Sequence, residues 1–304
     1  MWLTGGTLND LLRTSLFGSL EGLLSEVSQT ITAAETIQLM APADIEGMLA
    51  LSQLEASFLD NGISYRRRVL PPRKHIPKGK TSVNSEDDGL TIHIDPFHES
   101  VESFIVSKEL IHICPTLVEV SFGTSSKVHH GAVDCVAICG ALASMIAPEG
   151  ARVRRQRSMV LAGTWLRQSM EANYDPIMSM LRDHLDEEGS IDIRTIVEVK
   201  SPAPGMIPGL SEKMLKRLQK GWATMDVDER SSAISELVLP SLRLEGLSTM
   251  RLEELIWHRA LVPGHDIDIA SQLHVQNEAW PIDADSARIH ASTIADNLIV
   301  NGHL

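Results

Sequence analysis

The stretch from Thr36 to Leu70 constrains the fold more than any other part of the chain. Thr36-Ile37-Gln38-Leu39-Met40 is a short apolar run that stops at Ala41-Pro42-Ala43-Asp44. After Asp44 the apolar residues Ile45, Met48, Leu49, Leu54 and Phe58 recur at helical spacing, and Asn61-Gly62 supplies a helix stop. Ile63 to Leu70 then reads as extended chain, halted by Pro71-Pro72. Strand, helix, turn and strand in that order make one βαβ unit, which requires a parallel sheet covered by helices.

The downstream pattern continues the theme. Gly89 to Asp95 alternates as a third strand, Leu110 to Ile113 reads as a fourth and Leu117 to Phe122 as a fifth. A helix is expected from about Gly131, carrying Val133, Val136, Ala137, Gly140 and Ala141, and another from about Arg154 to Met170. Strands alternating with helices predict an α/β domain with a mainly parallel sheet and flanking helices over 31–172. Residues 1–30 are expected to form an amphipathic helix through Leu8, Leu11, Leu12, Leu16, Leu20, Leu23 and Leu24. From 173 to 304 helices dominate, at about 175–187, 211–222, 226–238, 251–261 and 286–298. Asp226 and Glu229 are spaced as a capping box. Residues 76–88 are polar and read as a loop.

Composition removes several classes of function. The net charge is −13, and only 12 of 304 residues are aromatic, so neither a bulk-basic coat protein nor a broad base-stacking surface is expected. Cys114, Cys135 and Cys139 are too few and too odd in number for a disulfide scaffold and fit a reducing, cytoplasmic compartment. No second pair joins Cys135 and Cys139 to complete a zinc site. The longest apolar stretch, Cys135 to Pro148, has 14 residues, short of the roughly 20 that a membrane span needs. No phosphate-binding glycine loop and no Gly-x-Ser-x-Gly elbow occurs.

Ligands of open α/β sheets sit beyond the carboxyl ends of the strands. Asp44 and Glu46 follow the first strand and Asp95 ends the third, so these carboxylates are candidate ligands for Mn²⁺ or Mg²⁺. Asp44 equally suits an N-cap, and Asp95-Pro96 an ordinary strand exit. A second feature is a basic segment. Between Asn61 and Ser85 stand Arg66, Arg67, Arg68, Arg73, Lys74, Lys78 and Lys80 with no acid among them, against 20 basic and 40 acidic residues elsewhere. This density suits nucleic-acid phosphates, an acidic partner, or a solvated loop paired with the acidic remainder. In an alternating strand Arg66 and Arg68 share one face and Arg67 takes the other, so at least one of the three must be paired or snorkel past the sheet edge. His129-His130 is read as the entry to a helix, and metal binding there is the lesser alternative to capping or exposure. The arginines at 152, 154, 155 and 157 open a helix, an end where cations are unfavourable.

The order of several segments resembles the DHH phosphoesterases, in particular the archaeal RecJ-like branch. Thr36 to Gly47 is similar to the family's first motif, a strand followed by His-x-Asp-x-Asp-Gly and a helix. Asn61 to Tyr65 resembles the turn into the second strand, and Ile92-His93-Ile94-Asp95 falls where the second metal-binding Asp is expected. Gly131-Ala132-Val133-Asp134, Ala162 to Gln168, and Ile207-Pro208-Gly209-Leu210 resemble later segments in the same order. The match is collinear over about 31–300, and the chain ends where such proteins begin a second, DHH-associated domain.

The departures fall on the ligands. Pro42 replaces the first-motif His, Glu46 its second Asp, and Leu166 the last ligand Asp. Cys114-Pro115-Thr116 stands where Asp-His-His belongs. A two-metal phosphodiesterase needs enough hard ligands for both ions. Asp44, Glu46 and Asp95 would hold at most one weakly bound Mg²⁺ or Mn²⁺. The resemblance therefore implies a catalytically inactive DHH-fold scaffold of DNA replication, similar to the DHH-like subunit of the replicative helicase. Such a scaffold bridges GINS-like and MCM-like partners and touches single-stranded DNA through the basic segment. The alternatives are a residual Mn²⁺- or Mg²⁺-dependent single-strand exonuclease or nucleotide phosphodiesterase, and an accessory subunit of an active RecJ-like nuclease.

Overall fold

The computed structural model describes residues 14–75, 89–98, 105–122, 127–166, 176–203, 205–243 and 247–304. Lys78, Lys80, the loop expected at 76–88 and the first part of the amino-terminal helix lie outside the described residues. The chain is an α/β protein. Helix α1 (Glu21–Ala33) precedes strand β1 (Ile37–Pro42), helix α2 (Ile45–Asn61) and strand β2 (Tyr65–Leu70). Gly62 ends α2 in the left-handed region at φ 70°, where a residue without Cβ pays no steric cost. Strands β3 (Leu90–Ile94), β4 (Ile105–Val106) and β5 (Leu110–Ile113) complete a sheet of order β2-β1-β3-β5-β4. The first four strands of that order are parallel, and the short β4 closes the edge antiparallel to β5.

Register sorts the two faces of this sheet. Leu39, Ile92 and Ile111 sit side by side, and with Ala41, Ile94 and Ile113 they enter the main hydrophobic core. Helix α3 (Cys135–Ile146) and α2 supply much of the rest of that core. The opposite face carries Arg66 and Arg68 on β2, Gln38 and Met40 on β1, Thr91 and His93 on β3, and His112 on β5. One face of the sheet is thus aliphatic and the other largely polar.

The structure departs from the sequence reading between 116 and 133. Strand β6 (Thr116–Phe122) does not extend the parallel sheet. It pairs antiparallel with β7 (Lys127–Val133) as a separate hairpin. The helix expected from Gly131 begins at Cys135, because the Asp134 carboxylate accepts from the Ala137 amide and caps it there. His129 and His130 are therefore strand residues, and His130 lies 3.7 Å from Glu119 across the hairpin. The expected 154–170 helix is α4 (Ala151–Gln156), a 3₁₀ turn over Arg157–Val160, and α5 (Leu161–Leu166). A Cβ at Gly163 would stand 2.0 Å from an Asp134 oxygen, so only glycine lets α5 approach the α3 cap. Next to it the Thr164 hydroxyl donates to the same carboxylate at 2.7 Å.

The carboxyl-terminal half is mostly helical: α6 (Pro176–Glu187), α7 (Glu212–Gly221), α8 (Val227–Val238), α9 (Thr249–Trp257), α10 (Ile269–Ala279) and α11 (Ala284–Asn301). Asp226 and Glu229 do form a capping box at α8. The short strands β8 (Asp192–Arg194) and β9 (Arg259–Leu261) pair antiparallel. A second, smaller core joins α7, α8 and α9 through Leu215, Leu218, Ile234, Leu237 and Leu255. The main core runs across residue 172, since Ala291, Ile294 and Leu298 of α11 belong to it with α2. No helix among the described residues is long and apolar enough to cross a membrane.

One buried ion pair ties α3, the 3₁₀ turn and the end of α6. Arg157, 2% exposed, donates to both Glu188 oxygens at 2.7 and 2.8 Å and to the Ser144 hydroxyl at 3.0 Å. Burial pushes the Glu188 carboxyl up, but Arg157, His184 and Ser190 outweigh it and hold the group at about 2. Because the folded value is depressed, this stabilisation is present above the ordinary value of 4.5 and is lost as pH falls through it toward 2. Glu188→Ala leaves Arg157 buried without its counter-ion. It is expected to cost about 3 kcal/mol at neutral pH in urea unfolding. The gap to wild type should narrow between pH 4.5 and pH 2.

Candidate metal centre at the carboxyl edge of the sheet

The strand order reverses direction beside β1, whose neighbours are β2 and β3. Open α/β sheets bind ligands in the crevice at such a switch point, beyond the carboxyl ends of the strands. Asp44 follows β1 and Asp95 follows β3, so both stand at that edge.

Asp95 is gathered with two histidines. His112 lies on β5 directly beside His93 of β3, and the parallel register aims both imidazoles to the polar face. The rings stack with centroids 5.0 Å apart and planes 7° apart. Asp95 continues that face one step past β3. It turns the chain by accepting from the Phe97 amide at 3.3 Å, which brings His98 round onto the edge of His112. His98 Nδ1 stands 3.5 Å and His112 Nε2 3.7 Å from Asp95 Oδ2. One ligand atom from each of the three residues falls within 4.8 Å of the other two.

The electrostatics suit a cation. Asp95 is 5% exposed; burial pushes its carboxyl up, yet His112, His93 and His98 outweigh it and hold the group below its usual value. Burial, followed by the charge of His112, lowers His93 to about 4, so His93 is a neutral ring behind His112 at physiological pH. His112 Nε2 is buried and makes no hydrogen bond, since 3.7 Å to Asp95 exceeds hydrogen-bonding distance. A buried imidazole nitrogen that faces a carboxylate without a hydrogen bond has a lone pair that a metal ion could take. Donors about 2.0–2.1 Å from a tetrahedral ion lie about 3.4 Å apart, close to the 3.5 and 3.7 Å that separate the two histidines from Asp95. Two imidazoles and one carboxylate suit Zn²⁺ or Fe²⁺ better than Mg²⁺, which prefers oxygen.

Asp44 and Glu46 serve elsewhere and are not in this group. Asp44 is the N-cap residue of α2, but its Oδ2 accepts from the Arg73 amide at 2.8 Å. Burial raises its carboxyl, against the opposing pull of that amide, Lys74, His75 and Arg73. Glu46 is buried in the first turn of α2, where its charge joins burial and the neighbouring thiols in raising the Cys135 thiol. The three carboxylates therefore share one sheet edge without converging on one point.

The basic segment divides by strand alternation. Arg66 and Arg68 are exposed on the polar face and Lys74 is exposed after β2. Arg67 turns to the helical face. There it donates to both Glu55 oxygens, at 2.7 Å for the Nη2 contact, and pairs with Asp296 of α11 at 2.8 Å. Arg67 thus joins β2, α2 and α11, the paired outcome for the arginine on the inner face. Arg73 anchors Asp44 through its backbone.

Sequence reasoning named Asp95 but passed over His93, His98 and His112. The available signal was His93-x-Asp95-x-x-His98 followed by a histidine inside the next strand. No protein-family model matches this chain, and no curated protein matches it.

The centre predicts metal binding that is measurable without any assay of activity. Titration with Co²⁺ should give visible ligand-field bands saturating near one equivalent. His112→Ala should weaken that affinity by at least about tenfold, the scale of even outer-sphere losses at metal sites. Asp44→Ala should leave it unchanged.

Proposed function

We propose that this chain is a DHH-like α/β protein that has lost two-metal phosphodiester cleavage and acts as a scaffold in DNA replication. In this role it bridges GINS-like and MCM-like components. The observation that carries the loss of cleavage is the dispersal of the carboxylates. Asp44 is held by the Arg73 amide, Glu46 is buried beside α3, and Asp95 alone joins a ligand cluster. In-line displacement at phosphorus by two ions needs carboxylates that reach both, roughly 3.5–4 Å apart. Asp95, His98 and His112 supply donors for at most one. The partners come from the family resemblance, and exposed Arg66, Arg68 and Lys74 add an edge suited to phosphates or an acidic surface.

The test is hydrolysis of 5′-labelled single-stranded DNA with Mn²⁺, alongside co-purification with the GINS and MCM proteins of the same source. The expected outcome is a stable complex and no cleavage by folded protein. Cleavage abolished by both Asp44→Ala and Asp95→Ala, or no complex with either partner, overturns the proposal.

A second reading has its own observation. The Asp95-His98-His112 spacing suits a single Lewis-acidic ion, which could polarise a phosphoryl oxygen or activate water. That reading predicts Zn²⁺- or Mn²⁺-stimulated cleavage that is lost in His112→Ala and retained in Asp44→Ala.

A further inference from the structure

Helix α7 divides its residues sharply by face. Leu215 and Leu218 are buried in the second core, and Met214 packs against it. The Gln219 amide anchors the same side, donating to the Val199 carbonyl at 2.8 Å. Lys213, Lys216, Arg217 and Lys220 are all exposed. Steps of three, four and seven residues from Lys213 put these cations in one stripe along the outer face. At roughly 1.5 Å of rise per residue the stripe is about 10 Å long. The four side chains, with Glu212 at one end, line a shallow depression of the surface.

This stripe works against the helix that carries it. Lys213 and Lys216, like Arg217 and Lys220, are three residues apart. Lys213 and Arg217, like Lys216 and Lys220, are four apart, and like charges at either spacing repel. Lys213 also stands in the first turn, where the helix dipole disfavours a cation. Other surface cations of this chain find acids: Arg152 pairs with Asp60, Arg194 with Asp192 and Lys200 with Asp266. Among the described residues none of the four cations of α7 has an ion-pair partner, in a chain whose net charge is −13. The helix is held rigidly by its inner side and offers an uncompensated row of positive charge on its outer side.

We infer that the outer face of α7 binds the phosphate backbone of a nucleic-acid duplex without reading its sequence. A duplex carries one negative charge per roughly 1.7 Å of axis, so a stripe of about 10 Å meets enough phosphates to neutralise all four cations. A single strand is held largely by stacking on aromatic side chains, and the stripe has none. The apolar side of α7 is committed to the second core, which leaves the helix no face to sink into a bilayer. A broad anionic membrane would also meet the acidic remainder of the chain, whereas a duplex backbone is narrow and meets less of it. The inference stands apart from the replication proposal, since neither the metal centre nor Arg66, Arg68 and Lys74 take part.

The test is fluorescence anisotropy of the full chain with labelled DNA and RNA duplexes of about 20 base pairs at about 50 mM salt. Single-stranded DNA, polyglutamate and phosphatidylserine vesicles serve as competitors at matched charge. At least one duplex should bind, and its unlabelled form should compete better than any of the three. The logarithm of affinity should fall against that of salt with a slope of about −3.6, at about −0.9 for each of four phosphates. Lys213→Gln, Lys216→Gln, Arg217→Gln and Lys220→Gln combined should weaken binding at least about tenfold, with helix propensity nearly unchanged. Lys216→Gln alone should make the slope shallower by about 1, and it carries the test if the fourfold variant fails to fold by circular dichroism. Arg66→Gln with Arg68→Gln should bind the duplex as wild type does. The inference is overturned if neither duplex binds, if the α7 variants bind with wild-type affinity and slope, or if a single strand, polyglutamate or vesicles compete better than the duplex.

Discussion

The structure depends on burying α2 on nearly every side. Its residues from Ile45 to Phe58 are all buried, with the sheet, α3, α4 and α11 around it. A helix so enclosed must satisfy its own polar groups without water. Ser52 and Ser57 return their hydroxyls to carbonyls one turn back. Gln53 donates to the Gln156 carbonyl, and Gln156 donates in turn to the Ser52 carbonyl. Glu55 is the more deeply buried of the helix's two carboxylates that point inward, and Arg67 pairs with it. The basic segment therefore has a structural member at its centre, and its exposed arginines are the flanking pair.

This arrangement explains what the sequence disclosed and what it withheld. The βαβ unit was legible because its signals are local: an apolar run, a 3.6-residue periodicity, Asn61-Gly62 as a stop and Pro71-Pro72 as a strand end. The Asp226-Glu229 box was legible for the same reason. Leu117–Phe122 carries the alternation of a strand, but alternation does not name a partner, and its partner is β7 rather than the main sheet. The metal centre was legible only in part. Asp95 stands out as an acid at a strand end, whereas His112 becomes its neighbour through the β3–β5 register and His98 through a turn. Helix α10 was missed because Ser271, Gln272, His274 and Gln276 interrupt its apolar spacing, and its burial is decided by distant residues.

Carboxylates at one sheet edge thus meet different fates according to their immediate neighbours. Asp44 is drawn to a backbone amide, Glu46 to the interior beside α3, and Asp95 to imidazoles on adjacent strands. Chain position sets the edge on which a side chain stands. Cross-strand register and the next turn decide what it can coordinate.

The packing of α11 has a consequence for synthesis. The helix that covers α2 and pairs Asp296 with Arg67 lies more than 200 residues beyond the βαβ unit it completes. A chain emerging from the ribosome makes β1, α2 and β2 early but leaves one flank of α2 and the Arg67 Nη1 group waiting until α11 is released. At roughly 5–20 residues per second that interval lasts on the order of ten seconds or more. During it the aliphatic flank of α2 is the surface most in need of a chaperone, and the order of translation becomes part of how this fold is kept from aggregating.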